Sequence, residues 1–200
     1  MEELQLNEGR GLVVVAHPDD ETIWMGGTIL KFPNVRWTIF SLCRSSDADR
    51  APKFKRVCEH YGVRSIISDL EDEGVMTIEE SVPAIEKYIL AKLPERQFDY
   101  VFTHGSNGEY GHPRHIGVHR AMKELAQEQQ LSFLKLLFFA YEADAKKKMH
   151  NHKASNFVVL LGDEELSKKS KMITELYGFQ GDSFEAVSCL PSETFILGTK

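Results

Sequence analysis

Apolar residues in this chain come as short unbroken runs, separated by longer stretches in which they recur at helical spacing. Residues 12–16, Leu-Val-Val-Val-Ala, form a continuous run, the pattern of a strand buried on both faces. Similar runs predict strands at 36–42, 65–68, 99–103, 134–140 and 157–161, with a short last one at 193–197. A helix is expected at 24–32, after Gly26-Gly27 or spanning them. In 51–61, Phe54, Val57, Cys58 and Tyr61 share one face and Gly62 supplies the stop. In 77–93, Ile78, Val82, Ile85, Ile89 and Leu93 make one stripe, ended by Pro94. Further helices are expected at 113–129 and at 163–177, the latter capped by Asp163. Strands alternating with helices imply parallel βαβ units and an open, doubly wound α/β sheet. With no linker-like segment, repeat or low-complexity stretch, residues 1–200 read as one domain.

Composition narrows the picture. A chain of 200 residues, 42% hydrophobic and 27% charged, has the makings of one globular domain with a sizeable core. Its net charge of −6, with basic residues scattered, argues against nucleic acid or an anionic membrane as partner. No apolar run approaches the ~20 residues that cross a bilayer, and Met1-Glu-Glu-Leu lacks the start of a secretion signal. Cys43, Cys58 and Cys189 are far apart and form no CxxC pair, so neither a disulfide framework nor a cysteine zinc site is expected. A reducing, cytoplasmic setting follows as the expectation, with self-association left open. Lys146-Lys-Lys148, with His150 and His152, reads as a solvated loop.

Two strand ends carry the chemistry, and ligands of such sheets bind beyond the carboxyl ends of strands. The first run leads into Ala16-His17-Pro18-Asp19-Asp20-Glu21, and the run at 99–103 into His104-Gly-Ser-Asn-Gly-Glu-Tyr-Gly-His112-Pro-Arg-His115. Both offer imidazole and carboxylate donors suited to zinc. His17 and Asp20, three apart across a turn begun by Pro18, can converge on one ion. Asp19 then points elsewhere, near the open coordination position, where a general base for water belongs. Either His112 or His115 completes a His2Asp site, leaving the other free to donate a proton or stabilise an oxyanion. The plainer readings are that Asp19 or Asp20 caps the next helix, that His112 is a hydrogen-bonded loop residue, or that His115 pairs with His119 on a helix face. A dinucleotide site is disfavoured: there is no GxGxxG, and carboxylates stand where phosphates would bind.

Val13-Val-Val-Ala-His-Pro-Asp-Asp-Glu21, followed by Gly26-Gly27-Thr28, resembles the N-terminal signature of the LmbE-like (PIG-L) deacetylases. Gly108-Glu-Tyr-Gly-His-Pro-Arg-His115 resembles their second signature, which usually ends His-Pro-Asp-His. Lys171…Tyr177-Gly-Phe-Gln180 is a weaker match to their Lys…Tyr-x-Ser-Gln. The resemblance implies a mostly parallel Rossmann-like three-layer αβα fold and removal of an acetyl group from an N-acetylated amino sugar. It implies Zn2+, with iron(II) or another divalent metal as the alternative, held by His17, Asp20 and His115. It further implies Asp19 as general base, His112 as a protonated second catalytic residue, and Tyr110 as a group that polarises the carbonyl. Arg114 departs from the usual aspartate: it either tunes a neighbouring histidine, serves an anionic substrate, or simply faces solvent.

Substrate contacts are sought in Arg44, Arg50 and Arg56, near the end of the second predicted strand, whose forked donors suit sugar hydroxyls, phosphate or carboxylate. Each is equally readable as a surface arginine paired with Asp47, Asp49 or Glu59. The same residues also suit a zinc hydrolase of another amide or ester, or a catalytically silent metal- or sugar-binding module. Asp19 and both loop histidines being intact argues against silence.

Overall fold

In the computed structural model, residues 1–198 are described. A two-residue strand, Glu2–Glu3 (β1), precedes the apolar run, which forms Gly9–Val15 (β2). Successive side chains of a strand leave opposite faces. Leu12, Val14 and Ala16 therefore enter one core while Val13 and Val15 enter the other. The chain continues through helix Asp20–Lys31 (α1), strand Val35–Cys43 (β3), helix Arg50–Tyr61 (α2), strand Arg64–Leu70 (β4) and helix Ile78–Lys92 (α3). Next come strand Tyr100–Thr103 (β5), the short helix Gly108–Gly111 (α4), helix Pro113–Gln127 (α5) and strand Lys135–Phe139 (β6). A hairpin of Tyr141–Ala143 (β7) and Met149–Asn151 (β8) follows, then strand Phe157–Leu160 (β9) and helix Asp163–Lys171 (α6). A π-helical turn, Met172–Leu176, extends α6; Phe184–Val187 (α7) and strand Ser192–Leu197 (β10) complete the order.

Eight strands form one sheet in the order β1-β9-β10-β6-β5-β2-β3-β4. Only β10 runs against its neighbours, β6 and β9; every other pairing is parallel. One face is covered by α1, α2 and the π-helical turn, through Ile23, Trp24, Ile29, Phe54, Val57 and Ile173. The other is covered by α3 and α5, through Val82, Ile85, Ile89, Val118 and Met122. The expected three-layer, mostly parallel α/β architecture is therefore present. From β2 the chain steps outward to β3 and β4, then returns to the far side of β2 as β5 and β6. That reversal makes the carboxyl ends of β2 and β5 the switch point at which their loops part and a ligand can enter.

The helix expected near residue 24 begins earlier, at Asp20, and does span the glycine pair, but Met25 breaks it with φ −151° and ψ 18°. Beyond the break, the buried Glu193 carboxylate accepts from Gly27 N (2.8 Å), Thr28 N (2.6 Å) and Thr28 Oγ1 (2.6 Å). It thereby serves the restarted helix as a side-chain cap, where negative charge is favoured. Lys169 Nζ, also fully buried, neutralises it at 2.7 Å. A side chain at Gly27 would put its Cβ 2.3 Å from Leu161 Cδ2, so only glycine lets α1 and the segment after β9 approach. Lys146 to Lys148 lie exposed in the β7–β8 hairpin turn, and His150 pairs with Asp144 at 3.1 Å, as a solvated loop should. Cys43, Cys58 and Cys189 are free thiols. No helix among the described residues is long and apolar enough to cross a membrane.

Candidate metal centre and active-site cleft

The loop after β2 separates its two aspartates. Asp19 precedes α1 in the capping position, yet its side chain makes no cap bond. Its Oδ2 instead accepts from Arg50 Nη1 at 2.7 Å, and its backbone N–H donates to Glu21 Oε2 at 3.1 Å. A backbone φ of 116°, outside the usual range for a side-chain-bearing residue, produces this outward turn. Asp20 points the other way: Oδ1 accepts from Trp24 Nε1 (3.0 Å) and Oδ2 from His17 N (2.8 Å). The helix-cap reading of Asp19 is thus replaced by a carboxylate aimed into the cleft.

The loop after β5 supplies the other half. His115, fully buried on the first turn of α5, gives Nδ1 to Glu109 Oε2 at 2.6 Å and turns Nε2 towards Asp20. His104 gives Nδ1 to the same Glu109 oxygen at 2.8 Å, while its Nε2 accepts from Ala16 N at 2.9 Å. That second bond leaves His104 a neutral ring with a committed lone pair. Glu109 Oε1 accepts from Gly105 N, so both carboxylate oxygens are used without solvent. His119 bonds the His104 carbonyl at 3.0 Å, which makes it a brace for this loop and not the partner of a helix-face pair.

Three donor atoms meet between the loops. His17 Nδ1 lies 3.2 Å from Asp20 Oδ2; His115 Nε2 lies 3.3 Å from Asp20 Oδ2 and 3.3 Å from His17 Nδ1. Tetrahedral ligands at ~2.0–2.1 Å from zinc stand roughly 3.3 Å apart, so the triangle fits. Each histidine is backed by a carboxylate on its other nitrogen, His115 by Glu109 and His17 by Asp72 (Nε2 to Oδ1, 3.0 Å), as metal-ligating imidazoles usually are. Burial opposes charge on His17, but its hydrogen bonds to Asp20 and Asp72 prevail and raise its pKa to about 9. Burial and Asp20 push the Asp19 carboxyl well above the usual carboxylate range, against the pull of Arg50.

His112 stands beside the triangle, its ring 4.7 Å from that of His17 and 4.5 Å from that of His115. Its Nδ1 accepts from Arg114 N at 3.2 Å, which leaves Nε2 to carry the proton of a neutral ring. Burial and the neighbouring His115 and His17 depress its pKa to about 4. As arranged here, Nε2–H is the group that His112 can offer to the cleft. Tyr110, at 41% exposure, packs against Phe184 at 4.8 Å between ring centroids. These groups open on a cleft of about 410 Å³ whose apolar lining is Ile23, Trp24, Tyr110 and Phe184. Arg44, Asp47, Arg50, Asp72 and Glu185 also line it. Arg44 is paired with Asp72 (2.9 Å) and Glu73 (3.4 Å), and Arg50 with Asp19. Arg56, expected as a substrate contact, lies exposed on α2 and does not line the cleft.

Residues 12–126, more than half of the chain, match the family described as PIG-L: GlcNAc-PI de-N-acetylase. The chain belongs to this family. It is 27% identical over 130 residues to a probable N-acetylglucosaminyl-phosphatidylinositol de-N-acetylase of Dictyostelium discoideum, covering 59% of this chain and 50% of that protein. The chain thus spans about half the length of this relative. The conserved protein TT1542 of Thermus thermophilus has the same fold, with TM-score 0.66, 18% identity and 94% of both chains covered. So does N,N'-diacetylchitobiose deacetylase of Pyrococcus horikoshii, with TM-score 0.65, 18% identity, and 94% of this chain and 83% of that one covered.

Two features of this PIG-L chain depart from the sequence reading. Lys171 of the third motif is exposed, and the buried lysine is Lys169, two residues earlier on α6. Tyr177 of that motif does reach the centre, donating from its hydroxyl to Glu21 Oε1 at 2.8 Å. Arg114 does not face solvent. It is 5% exposed and donates from Nη2 to Glu71 Oε2 at 3.1 Å, and its Nε is buried without a partner. Glu71 in turn accepts from the backbone N–H groups of Glu73, Val75 and Met76, so Arg114 pins the loop that carries Asp72.

Asp72, Glu109 and His104 escaped the sequence reading. Asp72 sits in the acidic stretch Glu71-Asp72-Glu73, and only its position just past β4, at the same end of the sheet as His17, marks it. Glu109 adopts φ 59°, which a loop sequence does not announce.

Proposed function

We propose that this PIG-L chain is a metal-dependent hydrolase that removes the acetyl group of an N-acetylated amino sugar. The observation that carries the reading is the triangle of His17 Nδ1, Asp20 Oδ2 and His115 Nε2, with the Asp19 carboxylate turned into the same cleft. Those three residues would hold a divalent ion, zinc by their donor chemistry and iron(II) as the alternative. When bound, such an ion supplies Lewis acidity to the acetyl carbonyl and lowers the pKa of a water.

The chain's own groups do the rest. Asp19 takes the proton of the attacking water at a carboxylate oxygen; its raised pKa brings it closer to the working range of a general base. His112 donates Nε2–H, and Tyr110 its hydroxyl, to the oxygen that gains negative charge, and such preorganised donors are worth most in a site screened from water. The proton held by Asp19 is then available to the departing amine. Ile23, Trp24, Tyr110 and Phe184 give the cleft apolar surface for a sugar face.

Both arginines lining the cleft already serve carboxylates, which supports an uncharged amino sugar over a phosphorylated one.

Acetate release from N-acetylglucosamine and N,N'-diacetylchitobiose, measured with metal content, tests the reading. Asp19→Asn should keep its metal and lose about 10²- to 10⁴-fold in turnover. Undiminished turnover in that variant would sink the role of Asp19, and a panel of other amides and esters identifies a hydrolase of different preference.

A further inference from the structure

The Asp19 backbone is strained. With φ 116° and ψ −32° it lies where side-chain-bearing residues rarely stay, and such a conformation persists only where the surroundings over-determine it. Its carbonyl accepts from Thr22 N and Ile23 N at 2.9 Å, and two side chains complete the hold: Glu21 Oε2 on its backbone N–H and Arg50 Nη1 on its Oδ2. Each of these side chains is itself braced, and both braces come from one turn at the end of the π-helical segment. Tyr177 donates its hydroxyl to Glu21 Oε1 at 2.8 Å, and the ring of Phe179 lies under the Arg50 guanidinium at 4.5 Å. Gly178, at φ 79°, reverses the chain between them, so that both neighbouring side chains reach back to the same loop.

We propose that the Tyr177-Gly178-Phe179 turn is a clamp that positions Asp19, with Arg50 as its link to the carboxylate. The proposal rests on the reading of Asp19 as the general base. Arg50 has Nη1 on Asp19 and one face on Phe179 before any substrate enters, so the guanidinium is held in place from two sides. The turn lies outside the 12–126 segment that matches the family, and Phe179 stands where the motif noted above has serine. The aromatic face at 179 is therefore this chain's own means of holding its base. Tyr177 and Phe179 touch no reacting atom; they act through Glu21 and Arg50.

The test is a kcat and KM comparison of metal-loaded wild type, Tyr177→Phe, Phe179→Leu and Phe179→Tyr, on N-acetylglucosamine, with metal content alongside. Tyr177→Phe and Phe179→Leu should each lose about 10- to 100-fold in kcat, the usual consequence of a misplaced catalytic group, with KM and metal stoichiometry unchanged. Phe179→Tyr, which keeps the ring face, should retain most of the turnover. A rise in KM at constant kcat would overturn the clamp, as would unchanged kcat in both variants. If Phe179→Leu does not fold, Tyr177→Phe, which removes one hydroxyl, decides alone. If wild type releases no acetate, the functional reading fails on its own account. Crystal structures of wild type and Tyr177→Phe then judge the clamp: a displaced Asp19 supports it and an unmoved one overturns it.

Discussion

Glu109 Oε2 stands 2.6 Å from His115 Nδ1, and this one contact selects which nitrogen of His115 faces the cleft. The carboxylate can only accept, so His115 carries its proton on Nδ1 and offers the Nε2 lone pair to the space beside Asp20 and His17. The same oxygen fixes His104 in the same way. Both histidines outweigh burial and hold the Glu109 pKa down to about 2.

Glu109→Gln keeps the shape but has one acceptor oxygen for the Gly105 N–H and two ring N–H groups. Metal affinity should fall about 10- to 100-fold, as when other outer carboxylates of metal sites are replaced. Chelator competition followed by elemental analysis checks this; an unchanged dissociation constant would show that the tautomer is set elsewhere.

Arg114 should matter through Asp72. It anchors Glu71, which gathers the backbone of the 71–76 loop, and Asp72 in that loop holds His17 Nε2. Replacing it with the residue common in the family, Arg114→Asp, sets two carboxylates against each other. The expected result is weaker metal binding by about 10-fold or more through the loosened Asp72, not improved catalysis. Tighter metal binding in the variant would contradict the coupling.

His112 and His115 are separable by what their loss removes. His115→Ala should deplete the metal, because it deletes one vertex of the donor triangle. His112→Ala should leave metal content intact and cost about 10²- to 10³-fold in kcat, the range for removing one oxyanion donor. Equal metal loss in both would place His112 among the ligands instead.

The sheet was legible because its central strands are unbroken apolar runs, and 12–16 has no reading other than a strand covered on both sides. The donor loops were legible because they follow two such runs. The elements that went unread, β1, β7, β8, α4 and α7, have two to four residues each, too few to display a period. Choosing between His112 and His115 took the family resemblance, since both stand beside the Pro113 turn and differ only in burial and in the Glu109 contact. The arginines show a further limit: a forked donor near a cleft looks alike in sequence whether it meets substrate or, like Arg50, a neighbouring carboxylate.

Lys169 and Glu193 offer a test of the frame that is independent of the chemistry. Their charges meet at 2.7 Å with no solvent contact, and Glu193 caps the broken α1 through Gly27 and Thr28. Lys169→Met leaves a buried carboxylate facing only backbone and hydroxyl donors, and removing one partner of such a pair costs about 3–5 kcal/mol. At about 2–4 °C per kcal/mol for a chain of this size, the melting temperature should drop by roughly 6–20 °C. Lys168→Met, on the exposed face of the same helix, breaks a 2.7 Å pair with Glu164 that water already screens, and should leave the melting temperature unchanged. Thermal unfolding of both variants, at matched metal content, decides the matter. Equal melting temperatures would mean that Glu193 is held by the α1 backbone alone and that the buried lysine adds nothing to the frame.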